Sequence, residues 1–219
     1  MKVINFAREK SIINQYIAEL RDASYQANRM VFRRNIERIG ELMAYEISKT
    51  LSYSEKTVQT PLDVATVNTH DDQIVLATVF RAGLPLHQGF LNIFDRAENA
   101  FVSAYRYYED KESTKVGIKT EYMASPDLNG KTLILVDPML ATGGSIELAY
   151  KALRAHGIPK RLVIASVIGA VEGVNYLKKV FKSEDVTLYI VAVDPALDEH
   201  KYIVPGLGDA GDLCYGEKL

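Results

Sequence analysis

The residues best placed to do chemistry form one continuous stretch, Asp137-Pro138-Met139-Leu140-Ala141-Thr142-Gly143-Gly144-Ser145. Glycines lack a Cβ and let an anion approach the backbone, and the first N–H groups of a following helix have no partners within that helix. The hydroxyls of Thr142 and Ser145 add donors, and either could also cap the helix. The carboxylate of Asp137 would repel a phosphate but suits two adjacent ribose hydroxyls. The stretch therefore predicts a sugar-phosphate site; the alternative is a capped turn that binds nothing.

Regular elements flank this stretch. The run Leu133-Ile134-Leu135-Val136 is typical of a central parallel strand buried on both faces, and apolar residues recur at helical spacing from Ile146. Further strands are predicted over residues 73–79, 100–105, 162–168 and 186–193, and helices over residues 10–21, 31–51, 86–96 and 172–181. Because strands and helices alternate, we expect an α/β fold with a doubly wound, mainly parallel sheet.

The chain is expected to be a single domain of 219 residues. Its parts would be N-terminal helices up to about residue 60, an α/β core over 61–195 and a C-terminal segment over 196–219, the first and last forming a small hood. On the helix over 31–51, Val31, Ile36, Ile39, Leu42, Met43 and Ile47 form the apolar stripe, and Arg33, Arg34 and Arg38 the solvated face. Residues 107–126 are polar without a core pattern, which predicts a mobile excursion.

Composition excludes several classes. A net charge of −2 gives no attraction to nucleic acid or membrane surfaces, and no apolar run approaches a membrane span. The first ten residues lack the apolar core of a signal peptide, and Cys214 is the only cysteine, so no internal disulfide can form. The four histidines are scattered without metal-ligand spacing. These features favour a cytoplasmic protein.

Two more constellations could join the site. Arg81 lies at a strand-to-helix turn and Arg106 follows the strand over 100–105, so two guanidinium forks could clamp a diphosphate; surface ion pairs are the alternative. The C-terminal tail, residues 205–219, contains Gly206, Gly208 and Gly211 in a G-x-G-x-x-G pattern. Too few residues follow for a dinucleotide-binding unit. A shaped loop that offers backbone groups to a ligand is favoured over a frayed terminus.

Together, Asp137–Ser145 and Tyr202–Gly211 resemble the uracil phosphoribosyltransferase family. The resemblance extends over most of the chain, through Thr60-Pro61-Leu62, Arg81-Ala82-Gly83-Leu84, Tyr105-Arg106, Asp198-Glu199-His200 and Gly216. It implies a phosphoribosyltransferase-like fold and transfer of the 5-phosphoribosyl group from 5-phospho-α-D-ribose 1-diphosphate (PRPP) to uracil. The products would be uridine monophosphate (UMP) and diphosphate.

The resemblance also implies roles by position. Thr142 to Ser145 would hold the 5-phosphate, Asp137 the ribose hydroxyls, and Arg81 with Arg106 the diphosphate. The full PRPP site would comprise Arg81, Arg106, Asp137, Pro138, Met139, Leu140, Ala141, Thr142, Gly143, Gly144, Ser145 and Asp209. Uracil would lie against Ile203, Gly208, Asp209 and Ala210, mainly through main chain. The catalytic set would be Asp137, Arg81, Arg106 and Asp209, with magnesium carried by PRPP rather than by a protein metal site.

Some alternatives stay open. They are a nucleotide-sensing regulator that binds RNA, a catalytically silent ligand-binding module, and an enzyme of the same fold that uses another base such as hypoxanthine. The resemblance and the long N-terminal helices suggest a homodimer or a larger homo-oligomer. A nucleotide effector such as GTP is a further expectation, although no residues for it can be identified.

Overall fold

The computed structural model describes residues 1–108, 116–182 and 185–217, with only the backbone described for residues 104–108 and 116–121. The elements in chain order are β1 (Lys2–Asn5), α1 (Ile13–Arg21), α2 (Ala23–Gln26), α3 (Arg29–Ser48), β2 (Tyr53–Gln59), β3 (Val64–His70), β4 (Ile74–Phe80), α4 (Gly83–Ile93), β5 (Glu98–Tyr108), β6 (Val116–Ala124), β7 (Thr132–Val136), β8 (Met139–Leu140), α5 (Gly144–Leu153), β9 (Arg161–Ala170), α6 (Val171–Val180), β10 (Val186–Asp194), β11 (Ala196–Leu197), β12 (Ile203–Val204) and α7 (Ala210–Tyr215).

The main sheet has the strand order β1-β10-β9-β7-β4-β5-β6, and the short β8 pairs with β9. All neighbours are parallel except β5 and β6. Successive residues of β7 serve two cores: Ile134 and Val136 join the one that includes α1, α3 and α4, whereas Leu133 and Leu135 join the one that includes α5 and α6. A strand buried on both faces needs apolar residues throughout. The prediction of a doubly wound, mainly parallel sheet is therefore confirmed.

Helix α3 is the long N-terminal helix expected from its apolar stripe. Asn28 caps its start by accepting hydrogen bonds from the N–H groups of Met30 and Val31, and the helix ends at Ser48. Its buried apolar residues are Phe32, Ile36, Ile39, Met43, Ala44 and Ile47. Of the three arginines predicted to be solvated, Arg34 is exposed, but Arg33 and Arg38 are partly buried. The stripe thus located the packed face, but only part of the polar face is free in solvent.

The prediction of a helical N-terminal part is only partly right. β1 forms an edge of the main sheet, and β2 and β3 form an antiparallel hairpin. Thr60, Pro61 and Leu62 lie at its tip. Every β2 residue is exposed, and so are most of those in β3. A hairpin with both faces in solvent has no alternating hydrophobic pattern, which explains why the sequence did not predict it.

The excursion predicted over residues 107–126 is wrong where the structure describes it. Strand β5 continues to Tyr108, and β6 returns beside it with Val116 opposite Tyr108 and Ala124 opposite Phe101. β6 is an edge strand of the sheet that pairs with β5 only, and Met123 packs against the core on the side of α5 and α6. Residues 109–115 lie outside the described part.

Among the described residues, no helix combines the length and the apolar character needed to cross a membrane.

Candidate active site

The stretch from Asp137 to Ser145, here called the cradle, lies at the carboxyl end of β7 and leads into α5. The N–H of Asp137 donates to the carbonyl of Ala165 on β9 at 3.1 Å, which continues the sheet ladder by one residue. Its Oδ1 accepts the N–H of Met139 at 3.1 Å. Ligands of open α/β sheets bind at this edge. The structure thus brings the cradle to the expected edge, with Asp137 fixed at its start.

Gly143 is required by both conformation and packing. Its φ is +87°, in the left-handed region, and it is the N-cap of α5. A Cβ added here would lie 2.9 Å from Cδ1 of Tyr176 and 3.2 Å from the carbonyl of Gly173, both on α6. The sequence predicted the glycine from phosphate approach and from a turn with positive φ; the structure confirms the positive φ and also uses the glycine to seat α6 against the cradle.

The predicted cap by Thr142 or Ser145 is wrong. The N-cap position belongs to Gly143, which has no side chain. Within the described part of the chain, neither of the two hydroxyls makes a hydrogen bond, and both residues are partly exposed. The hydroxyl groups therefore remain available as donors to a ligand.

Arg81 follows β4 through a cis Phe80–Arg81 peptide bond and reaches the C-terminal helix. Its Nη2 donates to Oδ1 of Asp212 at 2.8 Å and to the carbonyl of Gly216 at 3.3 Å. Its Nε is buried and has no partner among the described residues. The guanidinium is thus held by the tail through Nη2, and its buried Nε is not used in that contact.

The turn after Arg81 also lies against the start of the cradle. A Cβ added at Gly83, the first residue of α4, would lie 3.4 Å from the carbonyl of Val136, the residue before Asp137. The turn therefore contacts the tail and lies close to the residue that precedes the cradle. Arg106 lies on the neighbouring β5, opposite Ile118 of β6, and its side chain is outside the described part.

The C-terminal loop, residues 203–211, is a shaped turn rather than a frayed end. The Val204–Pro205 bond is cis, and Gly206 and Gly208 have φ of +63° and +87°. A Cβ on Gly206 would lie 1.9 Å from the carbonyl of Ile203, so only glycine fits. Ile203 and Ala210 are 4% and 2% exposed within the core that contains α3.

The loop leaves donors unused. Asp209 caps α7 and accepts the N–H of Asp212 at its Oδ1, 3.0 Å away. The N–H groups of Gly208 and Asp209 form no hydrogen bond to any residue that the structure describes. Unpaired backbone donors beside a shaped turn suit a planar ligand that carries carbonyl groups.

Residues of the N-terminal helices hold this loop, and the sequence did not predict their role. Arg21 pairs with Asp194 and Gly206, Gln26 donates to the carbonyl of Leu207 at 2.9 Å, and Arg33 donates to that of Cys214 at 2.6 Å. These partners are more than 170 residues away along the chain. Only the packing of α1 and α3 against the tail brings them together.

Cys214 and His87 are buried, whereas His70, His156 and His200 are exposed. Burial raises the pKa of the Cys214 thiol to about 12, although the nearby charges of Arg33 and Arg81 act in the opposite direction. His87 is buried beside Asn99, 2.7 Å away, and burial lowers its pKa. No group of three or more histidine, cysteine, aspartate or glutamate side chains in the described ranges could hold a metal ion.

A cavity of about 810 Å³ lies at the opposite, amino edge of the sheet. Its walls include His70, Asp72, Phe94, Glu98 and Lys131, next to the starts of β4, β5 and β7. None of the predicted site residues lines it.

Comparison with known proteins agrees with this geometry. The model of the family described as "Uracil phosphoribosyltransferase" matches residues 7–217. A uracil phosphoribosyltransferase of Porphyromonas gingivalis is 55% identical over 219 residues, which is 100% of both chains. That of Thermococcus kodakarensis is 34% identical over 214 residues, covering 96% of this chain and 90% of the relative. Among solved structures, a protein from Aquifex aeolicus has a TM-score of 0.85 at 29% identity, with 98% of each chain covered.

Proposed function

Since the chain belongs to the uracil phosphoribosyltransferase family, we propose that the cradle and the C-terminal loop are the two halves of its active site. The enzyme transfers the 5-phosphoribosyl group from PRPP to uracil and releases UMP and diphosphate. The observation that carries the site assignment is the position of the Arg81–Gly83 turn. It contacts the tail through Asp212 and Gly216 and adjoins the residue before Asp137.

The cradle takes the sugar phosphate. The unbonded hydroxyls of Thr142 and Ser145 and the first N–H groups of α5 are donors for the 5-phosphate. Asp137 accepts the N–H of Met139 at Oδ1, and its carboxylate is the acceptor that we assign to the ribose hydroxyls. The backbone of residues 138–141 passes around the sugar phosphate, and the pairing of β8 with β9 holds it in place.

Arg81 and Arg106 take the diphosphate. A guanidinium presents several donors in a plane, which suits the oxygens of a diphosphate. Arg81 has an unused Nε and holds Asp212 by a pair that is about one third exposed on each side. Magnesium carried with PRPP would neutralise part of the charge of the diphosphate, and Asp209 is the residue that would reach towards the sugar-diphosphate, through water or that ion.

The loop takes uracil. The N–H groups of Gly208 and Asp209 are donors for its carbonyl oxygens, and buried Ile203 and Ala210 supply apolar contact. Cytosine carries an amino group where uracil carries a carbonyl, so a backbone donor would face another donor. A polar group left unpaired in a closed site costs enough to reject the wrong base strongly.

The reaction needs stabilisation of the departing diphosphate and of positive charge on the sugar. The guanidinium groups of Arg81 and Arg106 act on the first, and the carboxylate of Asp137 lies beside the ribose. Holding uracil against the anomeric carbon supplies proximity. Asp209 is the nearest group that could accept the proton of the uracil ring nitrogen, but its Oδ1 is shared with Asp212.

Three finer properties belong to the same proposal. We expect a homodimer or larger homo-oligomer, in line with the exposed apolar residues of the β2–β3 hairpin, such as Val58, Leu62 and Val64. A nucleotide effector such as GTP remains an expectation from the family resemblance. A cytoplasmic location fits a chain whose lone cysteine, Cys214, is a buried thiol.

One assay tests the proposal. Purified protein with magnesium and PRPP receives uracil, cytosine or hypoxanthine, and nucleotide formation is followed by chromatography. We expect UMP from uracil and at most traces of nucleotide from the other bases. Absence of UMP would overturn the function, and equal use of cytosine would overturn the assignment of the loop to uracil.

A further inference from the structure

The C-terminal loop is held by a partly buried ion pair that lies outside the proposed active site. Asp194 ends β10, and its side chain is 7% exposed; Arg21 ends α1, and its side chain is 27% exposed. The pair is bidentate, since Nη1 of Arg21 lies 2.8 Å from Oδ2 of Asp194 and Nη2 lies 2.7 Å from Oδ1. Such a fork fixes orientation as well as distance.

Both partners also bind the backbone of Gly206. Oδ2 of Asp194 accepts its N–H at 2.8 Å, and Nη1 of Arg21 donates to its carbonyl at 3.0 Å. Gly206 is the left-handed residue directly after the cis Val204–Pro205 bond, at the centre of the turn. The pair therefore binds both the N–H and the carbonyl of Gly206, and so fixes the backbone at the centre of the loop.

A second contact extends the same arrangement. Gln26 donates from Nε2 to the carbonyls of Leu20 and Leu207, which ties the end of α1 to the residue after Gly206. The carbonyls of Gly206 and Leu207 are thus bound to the N-terminal helices. The N–H groups of the next two residues, Gly208 and Asp209, have no partners among the described residues.

We propose that Arg21 and Asp194 are positioning residues for uracil: they fix the turn at Gly206 so that the N–H groups of Gly208 and Asp209 stand where the base needs its donors. This inference rests on the proposed assignment of the loop to uracil. Neither residue touches the substrate. Their loss should weaken uracil binding through misplacement of the donors and leave the cradle, on the far side of the Arg81 turn, unaffected.

The test compares Arg21→Lys and Asp194→Asn with wild type. Lysine keeps the charge but not the fork, and asparagine keeps one acceptor but not the charge. Steady-state kinetics with uracil and PRPP varied in turn should show KM for uracil raised by about tenfold or more, since misplaced donors lose most of a hydrogen bond each. KM for PRPP should change less than about twofold.

A matched control separates positioning from general loss of stability. Asp72 is also buried, accepts the N–H of Ser52 at 2.6 Å and pairs with Lys160 at 2.6 Å, but it lies at the amino edge of the sheet. Asp72→Asn should lower the midpoint of thermal unfolding and leave both KM values at wild-type levels.

The outcomes are distinct. A rise in KM for uracil confined to the Arg21 and Asp194 variants supports the inference. The inference is overturned if KM for uracil is unchanged in folded variants, or if it rises equally with Asp72→Asn. In either case the proposed function stands as long as the wild type forms UMP. Should Asp194→Asn not fold, Arg21→Lys alone decides by the same two criteria. Wild type that forms no UMP would instead remove the function itself.

Discussion

Asp72 should contribute a pH-dependent share of the stability of this fold. It lies between the β2–β3 hairpin and β4, and its carboxylate accepts hydrogen bonds from the N–H of Ser52, Oγ1 of Thr132 and Nζ of Lys160, at 2.6, 2.8 and 2.6 Å. One carboxylate thus joins the base of the hairpin, the start of β7 and the residue before β9. The substitution to make is Asp72→Asn, which keeps the shape and removes the charge.

The magnitude follows from the pKa of Asp72. Burial on its own would raise this pKa, but the hydrogen bonds from Lys160, Ser52 and Thr132 and the charge of Lys160 outweigh it and lower the pKa from 3.8 to about 2. The difference of roughly two pKa units between the unfolded and folded values corresponds to about 2 kcal/mol of unfolding free energy. Because the folded pKa is the lower one, this stabilisation is complete well above pH 3.8 and is lost as the pH falls towards 2. At pH 3 about half of it should remain.

Urea unfolding followed by circular dichroism measures this contribution at fixed protein concentration. The stability gap between wild type and Asp72→Asn should be about 2 to 3 kcal/mol at pH 7 and about half of that at pH 3. Glu46→Gln, which removes the partner of exposed Lys49, serves as a control and should change stability by less than about 1 kcal/mol. A gap that is the same at both pH values would refute the role given to the ionised carboxylate.

Other predictions concern the site and the tail. Asp137→Asn can still accept the N–H of Met139, so the fold should persist while kcat/KM falls by about a hundredfold; wild-type rates would remove Asp137 from the site. Gly143→Ala places a side chain at φ +87° and 2.9 Å from Tyr176, so urea denaturation should show a loss of about 1–3 kcal/mol and the KM for PRPP should rise; unaltered stability would contradict the packing of α6 on the cradle. Cys214, with its pKa near 12, should react with a thiol reagent at pH 8 only after unfolding, and rapid labelling of the native protein would show that the tail opens.

The sequence predicted the parts of the molecule whose burial leaves a pattern. The continuous aliphatic run before Asp137 and the stripe along α3 specified a buried strand and a packed helix, and both are present. The β2–β3 hairpin has no such pattern because most of its residues are exposed, and β6 is an edge strand that pairs with β5 only. The sequence pointed to the cradle and the loop because the glycine, hydroxyl and carboxylate residues of each lie close together along the chain. A local pattern is then enough to predict them.

Contacts between distant segments could not be predicted in this way. Arg33 looks like any arginine on a polar helix face, yet it donates to the carbonyl of Cys214 and lies over the ring of Tyr215. Arg21 and Asp194 are 173 residues apart, and nothing in the local sequence of either marks the other. Ion pairs are specified by the packing of the elements that carry them, so a single sequence shows each charge without showing its partner.

In the proposed active site, Arg81 links PRPP binding to the shape of the C-terminal segment. In the structure its Nη2 donates to Asp212 and to the carbonyl of Gly216, which belong to the segment that follows the C-terminal loop. Both side chains of the pair are about one third exposed, so the pair is worth at most about 1 kcal/mol. A diphosphate that accepts two charge-assisted hydrogen bonds from the same guanidinium outweighs that amount. Under the proposed function, binding of PRPP therefore draws Arg81 away from Asp212 at small cost. Because α7 follows directly on Asp209, that proposal places the change beside the residues it assigns to the base.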